Sequence, residues 1–458
     1  MGEPLPFPGA GSQLLRPLDA PRVVAPTSPA PASGWDLLLG CAAGYVVTGV
    51  GRVHELFPVL LPLKPGFVIA ALGVTLYVLQ QSGQRRVELL RSQTTTCLLG
   101  LILWVGLSVP GALNQGVAFD LLRGFTEIVL MYFVVAGSVR GVRDVERLML
   151  AYFAATVVYT AVVLSRFQLS AETWRLGRLY TVGTTGYYDA NDLATLIVTA
   201  MPLGLYFILG RRQWSLRLFA LAGLAVLVVG QIRSGSRGGF LALLAVTAFV
   251  LLRFTTVPVR ARVAGLALIL GVVFAAASDQ YWTQMQTLLN PRADYNTTVE
   301  GGRLKIWERG ITYMVTHPVL GVGAKNFQVA EGTISPLARQ QELGIGVVWG
   351  AAHNSFVQVG AELGIPGLLC FVGLIAGAFA SLRRVARYAL RAGPSAVGPL
   401  RLARSLTAAL VGFVVGGFFL SLAFSDMLYT LVALAAGLEK TVRAEQAGTL
   451  RPRHNAPV

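Results

Sequence analysis

The sequence predicts an all-α, polytopic integral membrane protein, with about twelve transmembrane helices and one large external loop that contains short helices. Three observations predict this class. Hydrophobic residues make up 54% of the 458 positions and charged residues only 13%, against roughly 25% charged in a soluble domain. So few charges cannot cover a soluble surface over this much apolar side chain. The mean hydropathy of +0.62 comes from many long uncharged runs separated by short basic segments. A net charge of +16 would suit a nucleic-acid binder, but the composition excludes that class, along with soluble enzymes and secreted scaffolds. The positive charge then has two uses, fixing topology in the loops and binding an anion.

In chain order, residues 1–34 are rich in Pro, Ala and Ser without apolar period and read as a disordered tail. No apolar core follows a basic start, so this is not a signal peptide. Apolar runs follow at 36–50, 65–82, 94–110, 117–139, 148–165, 192–210, 216–232, 238–252, 263–278, 354–382, 405–424 and 426–439. The first is interrupted soon after by Pro58, Pro62 and Pro65. A path of twelve spans with both ends inside places 24 of the 38 basic residues in cytoplasmic segments and 13 in external ones. The inner loops are short and rich in Arg, which is the pattern of the positive-inside rule. The organisation expected is therefore a tail (1–34), helices one to nine (35–278), an external loop (279–352), helices ten to twelve (353–442) and a second cytoplasmic tail (443–458). Cys41, Cys97 and Cys370 lie in separate apolar runs and read as small hydrophobes, not as a metal site or a disulfide frame.

The external loop 279–352 is 74 residues long, too long for a connector and therefore functional in expectation. Within it Arg303–Val315 has helical character, with Leu304, Ile306, Trp307, Ile311 and Met314 interleaved with Lys305, Glu308 and Arg309. Such a helix suits the membrane surface. No internal repeat is visible, which weighs against a transporter built on inverted repeats.

Four clusters on the external side carry possible chemistry. "RLGRLYTVGTTGYYDANDLA" at 175–194 is a Gly- and Tyr-rich loop, containing Arg178, that ends at a helix start. There Asp189 or Asn191 caps the helix and leaves amides pointing outward; a plain capped loop is the alternative. "QIRSGSRGGF" at 231–240 sets Arg233 and Arg237 four apart among three glycines. Guanidinium groups at a membrane border need an anion or a carboxylate beside them. Arg reads a diphosphate bidentately while glycines let backbone amides approach it; a snorkelling turn is the bland reading. In the third cluster Arg303 opens the loop helix as a candidate anion contact, and His317-Pro318 ends it. His317 reads as a helix stop or as a second polar contact. The fourth, "HNSFVQVGAELGIPG", puts His353 and Asn354 just before an apolar helix, where His353 is either a base for a hydroxyl near neutral pH or half of a capping pair.

Inside one span, Asp120, Arg123 and Glu127 share a helix face and read as a ladder of charges satisfying one another. The chain has no Walker A motif, no external cluster of carboxylates and no nucleophile elbow. Arginines plus one histidine, without metal or cofactor, suit an anionic leaving group stabilised by Arg and an acceptor hydroxyl activated by His.

These motifs resemble the O-antigen ligase and polymerase superfamily, membrane glycosyltransferases of the GT-C class. His353-Asn354 followed by nine residues, Gly364, two residues and Gly367 fits that family's His-(Asn/Ser/Gln)-x9-Gly-x2-Gly pattern. "HPVLGVGAKNF" at 317–327, "SRGG" at 236–239 and "DANDLA" at 189–194 are similar to its other landmarks, in the same order. The resemblance covers roughly residues 175–370. It implies an inverting, metal-independent transfer of a glycan from undecaprenyl diphosphate on the periplasmic face of the bacterial inner membrane, so that the large loop is periplasmic. It implies that Arg237 holds the diphosphate and His353 acts on the acceptor, with Arg303 and, less directly, Arg178 beside them. Arg233, Asn191, Asn354 and His317 complete the expected site. The acceptor is the lipid A core for a ligase, or another glycan chain for an O-antigen or exopolysaccharide polymerase. The motifs are shared by both, and the intact histidine motif favours the ligase. A flippase for lipid-linked sugars is the rival class. It would need no acceptor-activating base at one face.

Overall fold

The computed structural model describes residues 2, 34–80, 89, 91–166, 188–210, 213–277, 279–287, 299, 301–342 and 349–450. Every regular element among them is helical. Helix α1 (Leu37–Tyr45) runs on through a π-turn at Val46–Val50, and two 3-10 turns lead to α2 (Pro65–Gln80). Then come α3 (Gln93–Ser108), α4 (Gln115–Ser138), α5 (Val142–Arg166), α6 (Ala190–Leu209), α7 (Trp214–Ser234), α8 (Arg237–Arg253) and α9 (Val259–Ala276). The long loop holds α10 (Asp279–Gln286), α11 (Arg303–Thr316), α12 (Phe327–Thr333) and α13 (Ala338–Glu342). The chain ends with α14 (Ser355–Ala392), α15 (Val397–Gly417) and α16 (Asp426–Leu450). Five stretches are long and apolar enough to cross a bilayer by length and composition: Val59–Gln80, Val142–Arg166, Ala190–Leu209, Trp214–Ser234 and Ser355–Gly417. Arg178, most of the N-terminal tail, the last eight residues and part of the loop lie outside the described residues.

Helix starts follow side-chain caps. Asp36, Ser92, Asn114, Asp189, Ser236 and Asn354 each accept from an amide in the first turn of the helix they precede, a contact worth about 1 kcal/mol apiece. Helix α6 is the buried centre and packs against α5, α7, α8 and α15. Small residues let these helices close on one another. A Cβ built at Gly204 would lie 2.3 Å from Phe153 Cε2, and one at Gly230 would lie 2.4 Å from Thr160 Cγ2. The expected Asp120–Arg123–Glu127 ladder is weak in outcome: Arg123 and Asp120 are 3.9 Å apart with side chains 73% and 66% exposed, because this face of α4 points away from the bundle. All three cysteines are free. Cys97 and Cys370, distant in sequence, face each other across α3 and α14: a Cβ at Gly100 would lie 3.1 Å from Cys370 Sγ, and one at Gly373 would lie 2.8 Å from Cys97 Sγ.

The run 354–382, expected as one span, is a helix with a break. Gly364 has φ +67 inside α14, leaving carbonyls of the preceding turn without helical partners. The segment after α11 supplies them: Val322 N donates to Ala361 O at 2.9 Å and Gly323 N to Glu362 O at 3.0 Å. Trp104 Nε1 donates to Leu363 O at 3.0 Å and to Val319 O at 2.9 Å, and Ile365 N donates back to Pro318 O at 2.8 Å. Much of the "HPVLGVG" motif and of the x9-Gly spacing is thereby accounted for by docking one segment onto a broken helix. A side chain at 364 would meet Pro318 O at 2.5 Å in a left-handed conformation that costs about 1–3 kcal/mol for other residues. Gly364→Ala is therefore expected to lower the yield of folded protein and its Tm in detergent. An unchanged Tm would show that the break is not fixed by this glycine.

The elements of the long loop attach to α14 with similar closeness. Gly310 on α11 has room for no side chain, since its Cβ would lie 2.4 Å from Val357 Cγ1. Behind it Arg309, buried, pairs with Glu331 on α12 at 2.6 Å, and Tyr313 Oη donates to the same carboxylate at 2.8 Å. Burial, followed by that carboxylate, pushes the Tyr313 phenol up. A paired, fully hydrogen-bonded buried charge of this kind is costly to break from one side, so it locks α12 to α11.

Candidate functional site

Four helices begin on one side of the bundle, and the loop Phe418–Leu422 between α15 and α16 ties three of the starts together. Backbone N of His353 donates to Ser421 Oγ at 2.9 Å. Ser355 Oγ donates to Leu420 O at 2.8 Å and accepts from Leu422 N at 2.9 Å, fixing the start of α14. The start of α8 reaches the same loop, since a Cβ at Gly238 would lie 3.1 Å from Phe419 Cβ. Helix α11 reaches it through Trp307, whose ring lies 5.4 Å from Phe418 and 6.5 Å from Phe419, and whose Nε1 donates to Ala352 O at 3.0 Å. The start of α6 packs on two neighbours: Ala194 Cβ would lie 2.5 Å from a Cβ at Gly239, and Thr195 Oγ1 would lie 2.6 Å from one at Gly416.

The residues at these starts are the polar ones. Arg237 is the first residue of α8, after the Ser236 cap and the left-handed Gly235 (φ +55). Its Nη1 donates to Thr287 Oγ1, just past α10, at 2.8 Å. Arg303 is the first residue of α11, after Gly302. Asp189 caps α6 by accepting from Asn191 N at 2.7 Å and Asp192 N at 2.8 Å, and Tyr188 Oη holds the preceding residue by donating to Val50 O at 2.9 Å. Of the two capping candidates it is thus Asp189, with Asn191 in the first turn. Asn354, 2% exposed, spends its side-chain oxygen on Phe356 N and Val357 N at 2.9 and 3.1 Å and is a cap for α14.

His353 adopts φ +46, a left-handed conformation uncommon for a residue other than glycine. Such strain concentrates where the surrounding structure dictates a side-chain direction. Burial, and next the positive charge of Arg303, hold its imidazole below the ordinary histidine value, and the Asp189 carboxylate pulls the other way. Arg303, His353 and Asp189 therefore share one electrostatic neighbourhood. Helix starts carry partial positive charge, so two arginines at first-turn positions beside two further starts make a region suited to an anion.

The other expected members are less closely tied to these starts by the contacts described. Arg233 is exposed in the last turn of α7. His317 ends α11, about 20 Å from Arg303 at 1.5 Å rise per residue, with its Nδ1 3.0 Å from Thr316 Oγ1. Arg178 lies outside the described residues. Ser421, Phe418 and Phe419 escaped the sequence reading because their loop is as apolar as the spans around it. Thr287 carried no motif at all.

The fold and this region together define a helical protein with stretches apolar enough to cross a bilayer, in which arginines and a strained histidine lie at helix starts suited to an anion. Residues 222–372, a third of the chain, match the O-Antigen ligase family, which supports the resemblance to the O-antigen ligase and polymerase superfamily. The matched segment holds Arg233, Arg237, Arg303, His317, His353 and Asn354, and leaves out Asn191. No curated protein matches the chain.

Proposed function

We propose that the protein transfers a glycan from undecaprenyl diphosphate to an acceptor sugar in the manner of an O-antigen ligase, with the lipid A core as acceptor. The observation that carries this reading is the grouping of Arg303 and His353, each at the start of a helix, about the loop that also meets the start of α8 and hence Arg237. In the step proposed, an acceptor hydroxyl oxygen attacks the anomeric carbon, its proton passes to His353, and the bond from that carbon to the diphosphate oxygen breaks. The pair of electrons leaves with undecaprenyl diphosphate, whose charge Arg237 and Arg303 stabilise. A single displacement of this kind inverts the anomeric centre. The site would face the periplasm, on a chain of about twelve spans with both ends in the cytoplasm and the 279–352 loop outside.

The test is a purified transfer assay offering lipid A core and, separately, a second lipid-linked glycan as acceptor. Product on the core supports the ligase reading. Product only on the second glycan makes the protein a polymerase of the same superfamily, and movement of donor across the bilayer without transfer would make it a flippase.

The same assay tests metal independence. Among the described residues no group of three His, Cys, Asp or Glu side chains lies together, and arginines supply the positive charge in this scheme. Activity is expected to survive EDTA; a loss restored by Mg²⁺ or Mn²⁺ contradicts the scheme. For topology, a cysteine introduced at exposed Thr312 should react with an impermeant maleimide added from the periplasmic side, and one at exposed Ser395 should not. The reverse pattern inverts the topology.

A further inference from the structure

The other end of the bundle holds a second concentration of positive charge. Arg253 closes α8, about 24 Å along that helix from Arg237 at 1.5 Å per residue. Arg262 lies in the first turn of α9, and Arg401 and Arg404 near the start of α15. Phe254, 1% exposed, belongs to one apolar cluster with Ala408, against which Leu209 and Val250 pack, and this draws these arginines into one corner where α6, α8, α9 and α15 begin or end. The charged groups that act on Arg404 are Arg253 and Arg262, both of its own sign. Arg401 Nη1 donates to Leu209 O at 2.8 Å, and Arg262 Nη1 donates to Leu251 O. These acceptors are neutral carbonyls and leave the charge in place. On the Arg401 side stands Tyr206, which donates to Glu146. Arg262 Nε, Arg401 Nε and Arg404 Nη1 are shut off from solvent and make no hydrogen bond among the described residues.

Like-charged guanidinium groups with buried, unused donors are costly at the edge of a bilayer unless an anion joins them. A phosphate oxyanion matches the planar fork of arginine, and basic corners between membrane helices suit lipid head groups. The surroundings choose between a free phosphate and a lipid. Leu252, Val259 and Val263, adjoining Arg253 and Arg262, are 74%, 62% and 53% exposed, an apolar flank for acyl chains beside the charge. We propose that Arg253, Arg262 and Arg404 bind the phosphate group of an anionic phospholipid, with its chains lying along Leu252, Val259 and Val263. This site is separate from the glycan chemistry at the opposite end and does not depend on it.

The test uses the full-length protein in neutral detergent, alone and with added phosphatidylglycerol, phosphatidylcholine or inorganic phosphate, reading Tm. Phosphatidylglycerol should raise the wild-type Tm by a few degrees through binding to the folded state, and phosphatidylcholine should not. Arg253→Gln with Arg404→Gln should start as stable as wild type or more so, since repulsion is relieved, and should lose most of the phosphatidylglycerol response. An equal response in wild type and variant, or an equal response to both lipids, overturns the proposal. A rise with inorganic phosphate matching that with phosphatidylglycerol keeps the phosphate chemistry but overturns the lipid source. Should the double variant not fold, native mass spectrometry of wild type and Arg404→Lys decides. Retained anionic phospholipid on wild type, reduced on the variant, supports the site, and no retained anionic lipid on wild type overturns it.

Discussion

Arg237→Lys is expected to lose most glycan transfer, by about 10²–10³, the range seen when one donor to a developing anion is removed. The substitution keeps the charge and the helix. The cap of α8 is the Ser236 hydroxyl accepting from Gly239 N at 3.1 Å, and the residue at 237 does not contribute to it. What changes is the head group. The guanidinium donates to Thr287 Oγ1 through Nη1, which orients its plane, and a planar guanidinium can meet two phosphate oxygens at once. An ammonium is a point donor and cannot reproduce that geometry. Donor binding should weaken together with rate, because a diphosphate is charged before and after bond cleavage. A Lys variant with wild-type transfer in the purified assay would remove diphosphate binding from Arg237 and leave Arg303 as the anion contact.

The parts of the fold that obey one rule were legible in the sequence, and the parts made by contact between distant segments were not. The surface helix was expected at Arg303–Val315 and lies at Arg303–Thr316, because its apolar residues recur with helical period and Pro318 follows. The run 354–382 looked like one span, because Gly364 differs from other glycines of apolar helices only through what lies opposite it. The carbonyls of Pro318 and Val319 occupy the space a Cβ would need, and no local pattern announces them. The same holds for the site. Arg237, Arg303 and His353 stand out as rare polar residues at the edges of apolar runs. Their shared neighbour, Phe418–Leu422, is invisible as a loop because its side chains are apolar; only the hydrogen bonds of Ser421 and of the Leu420 and Leu422 backbone show its purpose. His317 was read as a helix stop or as a second polar contact, and it is the stop. A histidine near the motif looks chemical, yet its place at the end of α11 follows from Pro318, which cannot continue a helix.

His353→Ala is expected to slow transfer by about 10²–10⁴, the usual contribution of a general base. Two features of the position could produce a loss for another reason, and each has a control. The residue is left-handed and its backbone N donates to Ser421 Oγ, so alanine adds strain of roughly 1 kcal/mol that has nothing to do with proton transfer. Asparagine tolerates that conformation and cannot act as a base. His353→Asn should therefore be as slow as His353→Ala while recovering its stability. An Asn variant with half the wild-type rate or more would make the histidine a backbone element and leave catalysis to the arginines. The pH profile gives the second control. A base works unprotonated, so activity falls as pH drops through the pKa of His353. Burial and Arg303 hold that pKa low, which places the acid limb below the value of about 6.5 for an ordinary histidine. Arg303→Gln removes one lowering charge, and the limb of its residual activity should move to higher pH. Asp189→Asn removes the opposing charge, and the limb should move to lower pH. Shifts of opposite sign in the two variants are expected only if the group that titrates is the histidine between them. A limb that stays fixed in both, or persists in His353→Asn, assigns the proton to another group.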